Sequence, residues 1–161
     1  MNPAKQTIVT NSTCLIGLEK IGGLDVLSEL FDPVLMTPYM QQEFGISVPW
    51  LHIQVPTDMG MVATLRMLVD EAESASIALA YELGCAIILD DRRSRSVARN
   101  LGLTIIGTIG ILVKAKTTGL IFSLQPILDE LQHQGFFLDP ALRAQALKIT
   151  SELPNAQTAS V

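Results

Sequence analysis

The stretch AIILDDRRSRSVARNLG, residues 86–102, decides the fold of this chain. Its first four residues are apolar and follow Gly84, which is typical of an interior strand of a parallel sheet covered on both faces. Asp90 and Asp91 come next, before a helix that carries four arginines. Ligands of open α/β sheets bind beyond the carboxyl ends of the strands, so both acids are candidate site residues. One of them is expected to cap the helix and the other to be functional, and either assignment is open.

Outward from this stretch, short apolar runs alternate with amphipathic segments. Strands are predicted at residues 7–10, 34–36 and 103–106, with an irregular edge segment at 48–55 and a turn at Asp32-Pro33. Helices are predicted at residues 14–21, 24–31, 38–44, 59–69, 74–84, 92–101, 107–116, 123–134 and 140–153. This alternation predicts an α/β fold with a mainly parallel central sheet.

The length of 161 residues suits one domain. We expect a single domain over residues 1–153 and a disordered tail over residues 154–161. Hydrophobic residues make up 48% of the chain, but its longest apolar run, near residues 101–113, is broken by Gly and Thr. A membrane-spanning helix needs about 20 apolar residues, so the run predicts a buried core and no membrane association. The first residues lack a secretory pattern, which favours a cytoplasmic location with Cys14 and Cys85 as buried thiols.

The charge distribution is uneven. A net charge of -5 argues against a large nonspecific nucleic-acid surface. Residues 92–128 nevertheless contain no acid, and they carry six of the eleven basic residues. Arg92, Arg95 and Arg99 recur at a spacing that groups them along the helix. Such a patch can hold a phosphate backbone, or it can be an ordinary solvated helix face.

Several acids lie where successive parts of the chain reach the carboxyl edge of the predicted sheet. Glu43 lies in the last turn of a helix, an acidic cluster occupies residues 70–73, and Asp90 or Asp91 follows the central strand, with the amide of Asn11 beside them. Oxygen ligands of this kind suit Mg²⁺ or Mn²⁺, which can activate water and stabilise the leaving oxygen of a phosphodiester. Acids in a first helical turn are also favoured by the helix dipole alone. The chain lacks GxGxxG and GxxxxGK nucleotide-binding motifs and a nucleophile elbow, which disfavours nucleotide-binding and Ser-His or Cys-His chemistry.

At these residues the sequence resembles the PIN domain family of metal-dependent ribonucleases, and within it the VapC-like toxins that are paired with small antitoxins. The resemblance rests on NSTCLIGLEKIGGLDVLSELF (11–31), TPYMQQEF (37–44), EAESASIALAYELG (71–84) and ILDDRRSRSVARNLGLTIIGTIGILVKAKTTGLI (88–121). It covers nearly the whole chain. It implies a PIN-like three-layer α/β/α sandwich.

The resemblance also implies a set of site residues. The four metal-binding positions of the family fall on Asn11, Glu43, Glu73 and Asp91, with Asp90 as the alternative for the last. Glu43, Glu73 and Asp91 would be catalytic, and Ser12 matches the hydroxyl that follows the first position. Substrate binding is then expected from Ser12, Arg92, Arg95 and Arg99. Asn11 departs from the family pattern, because an amide brings an oxygen but no negative charge.

Two functions follow from this pattern. The first is an endoribonuclease, the toxin of a type II toxin-antitoxin pair, which hydrolyses RNA with Mg²⁺ or Mn²⁺ and has a small antitoxin protein and a second copy of itself as partners. The second is a catalytically weak or inactive PIN-like module that binds RNA or protein. Asn11 favours the second function, whereas the retained Glu43, Glu73 and Asp90 or Asp91 favour the first.

Overall fold

The central sheet of the computed structural model, which describes residues 4–152, contains five parallel strands. They are β1 (Gln6–Val9), β2 (Phe31–Met36), β3 (Leu51–Ile53), β4 (Ala86–Ile88) and β5 (Ile105–Ile106). Their order across the sheet is β3-β2-β1-β4-β5, so β4 is an interior strand as its apolar sequence predicts. The tail expected at residues 154–161 lies outside the described residues.

Helices follow the strands as the alternation predicts. They are α1 (Ser12–Lys20), α2 (Val26–Leu30), α3 (Pro38–Phe44), α4 (Met59–Leu65), α5 (Glu71–Leu83), α6 (Arg92–Asn100), α7 (Thr108–Thr117), α8 (Gln125–His133) and α9 (Pro140–Ile149). Six of them begin after a side chain that accepts a hydrogen bond from a backbone N–H of the first turn, and these caps are Asn11, Thr37, Asp58, Asp70, Asp91 and Asp139. Such caps satisfy donors that the helix leaves unpaired.

The interior strands β1 and β4 bury both of their faces near their carboxyl ends. Ile8 and Ile88 belong to one hydrophobic cluster, whereas their neighbours Val9 and Ile87 belong to a second. Because successive strand residues point to opposite faces, these two clusters lie on opposite sides of the sheet. Leu112 of α7 packs in the first cluster and Leu79 of α5 in the second. The chain is therefore a three-layer α/β/α sandwich, and the predicted fold class is confirmed.

The turn expected at Asp32-Pro33 is wrong, because both residues lie inside β2. Gln6 of β1 pairs with Phe31, but Ile8 pairs with Val34, so β2 contains one residue more than its partner over this span. Such a bulge tolerates a proline, which cannot donate to the ladder. Three helices also end earlier than expected, since α2 ends at Leu30, α4 at Leu65 and α9 at Ile149.

The sequence also predicts that no helix crosses a membrane and that both cysteines are buried thiols. Across residues 4–152, no helix has both the length and the apolar character needed to cross a bilayer. Cys14 is buried and Cys85 is half-buried, and both are free thiols. Burial, together with the nearby charge of Asp90, raises the pKa of the Cys14 thiol, so Cys14 behaves as an apolar core residue.

Candidate functional site

Asn11 and Asp90 meet where β1 and β4 end side by side. Nδ2 of Asn11 donates to Oδ2 of Asp90 across 3.2 Å, and Oδ1 of Asn11 accepts from the backbone N–H of Cys14 at 2.9 Å. A backbone N–H can only donate and a carboxylate only accepts, so these two contacts fix the orientation of the amide. Asn11, with 6% of its surface exposed, thus caps α1 and presents its donor to Asp90.

The carboxylate of Asp90 is also bound to the start of α7. Oδ1 accepts from the backbone N–H of Thr108, and Oδ2 accepts from its hydroxyl, each at 2.8 Å. Gly107 makes this approach possible, because a Cβ at that position would lie 3.3 Å from Oδ1 of Asp90 and 3.0 Å from Nη1 of Arg95. Three hydrogen bonds therefore fix the Asp90 carboxylate. They connect the end of β4 to the end of β1 and to the start of α7.

Asp91, the next residue, is the cap of α6. Its Oδ2 accepts from the backbone N–H of Ser94 at 2.9 Å and lies 3.0 Å from the Ser94 hydroxyl. The same hydroxyl lies within hydrogen-bond distance of Oε2 of Glu73. A hydroxyl has one proton and can donate to one carboxylate at a time. The buried Ser94 thus connects Asp91 to Glu73, which lies in the first turn of α5.

Negative charge gathers around Glu73. Burial is the largest cause that raises the pKa of its carboxyl above the ordinary value, and the charges of Asp70, Asp91 and Glu43 raise it further. The hydrogen bond from Ser94 acts in the opposite direction, because it stabilises the charged form. Asp70, Asp91 and Glu43 are therefore close enough for their charges to act on Glu73.

Glu43 is held at the same edge of the sheet by Ser12. The hydroxyl of Ser12, the first residue of α1, donates to Oε2 of Glu43 in the last turn of α3. Ser12 is buried, whereas Glu43 is exposed. Each of the two serines thus fixes one carboxylate, Ser12 that of Glu43 and Ser94 that of Glu73.

These carboxylates suit a hard divalent cation in kind and charge. Among the described residues, no hydrogen bond occupies Oε1 of Glu43, Oε1 of Glu73 or Oδ1 of Asp91. Such oxygens are the ligands that Mg²⁺ and Mn²⁺ prefer. Within residues 4–152, however, no three His, Cys, Asp or Glu side chains stand in positions to hold one ion together. Glu43 and Glu73 are each bound to a serine through Oε2 only.

A groove of about 810 Å³ lies beside Asp90 and Asp91, and we call it the arginine groove because Arg92, Arg95 and Arg99 line it. Arg92 and Arg99 are exposed. Arg95 is half-buried, and its Nη1 donates to the carbonyl of Leu89 at 2.8 Å. One of the three arginines predicted to bind substrate therefore also supports the end of β4.

A second groove of about 490 Å³, here the α1 groove, borders the same two acids. Thr13, Lys20 and Leu131 are among the residues that line it. Phe137 borders both grooves. The sequence reasoning did not single out Phe137, Ser94 or Thr108. A serine three residues after a capping acid was an available signal for Ser94, whereas the contacts of the other two depend on distant parts of the chain.

Comparisons with known proteins agree with this architecture. Residues 7–152 match the DUF3368 family model, which is described as a PIN domain. A search of curated proteins finds no match to this chain. The family match begins at the second residue of β1 and spans the other four strands and all nine helices described above.

Proposed function

Because this chain belongs to the PIN domain family, we propose that it is a metal-dependent endoribonuclease that hydrolyses RNA phosphodiesters. Proteins of this family generally use divalent metal ions. The observation that carries the proposal is the grouping of acids at this edge, where the Ser94 hydroxyl connects Glu73 to Asp91 and the Ser12 hydroxyl holds Glu43. Repulsion among acids is costly in a metal-free protein, and a bound cation relieves it.

In this proposal Glu43, Glu73 and Asp91 hold Mg²⁺ or Mn²⁺. The ion would supply a nucleophilic water at neutral pH and stabilise the negative oxygens of the phosphodiester. Ser12 and Ser94 orient Glu43 and Glu73 through their hydroxyls. Arg92, Arg95 and Arg99, beside the acids, would bind the phosphates of the substrate.

A weak or inactive PIN-like module that binds RNA or protein is the second candidate, and Asn11 is the observation that favours it. Its amide donates to Asp90 and adds no charge to the site. An ion at this edge must therefore be held chiefly by Glu43, Glu73 and Asp91. Several anions normally offset the cost of removing water from Mg²⁺, so the affinity for metal would be low and cleavage slow.

The proposal extends to partners. As the toxin of a type II pair, the protein would bind a small antitoxin, and acidic residues of that antitoxin could occupy the arginine groove in place of phosphates. A homodimer is part of the same proposal. The protein would act in the cytoplasm, where its RNA substrate is found.

Cleavage of a generic single-stranded RNA over a Mn²⁺ titration tests the proposal. We expect metal-dependent cleavage by the natural chain and a loss of at least about 100-fold in Glu73→Gln, which keeps the shape of the side chain but removes its charge. Glu19→Gln makes the same chemical change at an exposed position of α1 and serves as the matched control. Equal rates for Glu73→Gln and Glu19→Gln would contradict a nuclease role for the acidic site.

A further inference from the structure

Phe137 is the most unusual apolar side chain near the site, because 83% of its surface is exposed to solvent. It follows Gly135 and Phe136 in the segment between α8 and α9. Isolated exposed apolar residues are common on protein surfaces. Phe137, however, stands between two grooves that both reach Asp90 and Asp91.

The neighbouring Phe136 holds this segment in place. Phe136 is half-buried and packs against the hydrophobic cluster that contains Leu131 and Leu138. Its ring also lies over Gly17 of α1, where a Cβ would be only 2.9 Å from Cδ2 of the ring. Phe136 therefore fixes the backbone to the body of the domain while Phe137 points into solvent.

The arginine groove combines this ring with positive charge. Arg92, Arg95 and Arg99 line it together with Phe137 and Leu142, and its acidic lining residues are Asp90, Asp91 and Asp139. Proteins that bind single-stranded nucleic acid use this combination, with cations along the backbone and an aromatic ring on which an unpaired base stacks. A base that is paired in a duplex is already stacked on both faces and cannot use such a ring in the same way.

We infer that Phe137 is a stacking platform for an unpaired base of an RNA strand whose phosphates lie along the arginine groove. The choice of RNA as the ligand rests on the proposed function. Phe137 is then a binding residue that selects single-stranded over double-stranded RNA, and it lies beside Asp90 and Asp91 without being part of the acidic site.

The test is an affinity measurement in EDTA, so that the RNA is bound but not cleaved. The probe is a short, fluorescently labelled RNA of mixed sequence, used as a single strand and as a duplex with its complement. We expect Phe137→Ala to weaken single-strand binding about 10-fold, in line with the contribution of one base stacked on an aromatic ring. Binding of the duplex changes little. Phe137→Leu, which keeps an apolar side chain but loses the ring, behaves like Phe137→Ala, whereas Phe137→Trp retains the affinity.

Phe122→Ala is the matched control, because Phe122 is 94% exposed but lies next to Lys116, away from both grooves. Phe137→Trp gives a second readout, since the natural chain has one tryptophan. Stacking of a base on the new indole quenches the fluorescence of that indole. The natural chain does not show this quenching when it binds RNA. Equal affinities of Phe137→Ala and Phe122→Ala for the single strand would overturn the inference, and so would equal losses for single strand and duplex.

The outcomes separate this inference from the proposed function. If the natural chain cleaves RNA and Phe137→Ala binds the single strand as well as Phe122→Ala does, only the inference fails. If Phe137→Ala alone loses affinity and no variant cleaves with Mn²⁺, the inference stands and the nuclease proposal fails. If the natural chain binds no single-stranded RNA at low salt, both fail, and a protein partner becomes the occupant of the groove.

Discussion

Nδ2 of Asn11 donates a hydrogen bond to Oδ2 of Asp90 across 3.2 Å, and this contact ties the start of α1 to the end of β4. The PIN resemblance implies an acid at the position of Asn11. A second carboxylate there would repel Asp90 when no cation is present, whereas the amide forms a hydrogen bond. Asn11 therefore stabilises the metal-free fold while it withholds a negative charge from the site.

Asn11→Asp tests this balance with little change to the helix cap, because Asn and Asp cap helices about equally well. In EDTA we expect the free energy of unfolding to fall by about 1–3 kcal/mol, since a charged oxygen replaces the donor that faces Asp90. With Mn²⁺ we expect tighter binding and faster RNA cleavage. Thermal unfolding with and without Mn²⁺, calorimetric metal titration and a cleavage assay measure these effects.

Asn11→Ala is the companion variant. It loses both the cap and the contact with Asp90, so stability falls by about 0.5–2 kcal/mol and any remaining cleavage decreases. If Asn11→Asp binds no more Mn²⁺ than the natural chain, Asn11 is only a structural cap. The binding-module function would then be preferred.

Ser94→Ala tests the buried hydroxyl between Glu73 and Asp91. The hydrogen bond from Ser94 lowers the pKa of Glu73 against the effect of burial, so its removal raises that pKa further. We expect a loss of about 1–3 kcal/mol of stability at neutral pH, because the variant leaves Glu73 and Asp91 without this hydrogen-bond donor. An NMR pH titration of the Glu73 carboxyl measures the shift. Ser96→Ala, at an exposed position of α6, is the control, and a Glu73 pKa that is equal in both variants would contradict this role.

Arg99→Gln tests whether the arginine groove contacts phosphates. Each phosphate contact that is lost reduces the slope of log affinity against log salt by about 0.7 for single strands. We expect this change, with weaker RNA binding at low salt. Lys148→Gln removes one positive charge from an exposed position of α9 and is the control. An identical salt slope for the two variants would make Arg99 an ordinary surface residue.

Glu152→Gln tests a carboxylate remote from the site. Burial acts to raise the pKa of Glu152, but hydrogen bonds from Gln125, Leu124 and Ser123 and the charge of Lys116 lower it overall. Because the folded pKa is depressed, the stabilisation is present above the ordinary value of 4.5 and is lost as the pH falls through the folded pKa. We expect a deficit of about 1–3 kcal/mol at pH 7 that shrinks in acid. Chemical unfolding across this pH range measures it, and a deficit that is independent of pH would contradict the assignment.

The fold could be predicted because local signals agree with the tertiary structure. The apolar run before Asp90 does form an interior strand, and Thr37 with Pro38 does begin a helix. The turn assigned to Asp32-Pro33 was wrong because a bulge, which depends on pairing with a distant strand, accommodates the proline. Likewise, sequence placed Asp90 and Asp91 at the site but could not assign their roles. Asp91 caps α6 by accepting from the backbone N–H of Ser94, whereas Asp90 binds Thr108, which is distant in sequence and reaches it only through the packing of α7.

The two outer strands of the sheet are very short, with three residues in β3 and two in β5. A long, flat edge strand exposes many unpaired backbone N–H and C=O groups, and strands of other molecules can pair with them. Here each border offers only a few. The folded protein therefore has little tendency to polymerise by pairing of its edge strands, even at high concentration.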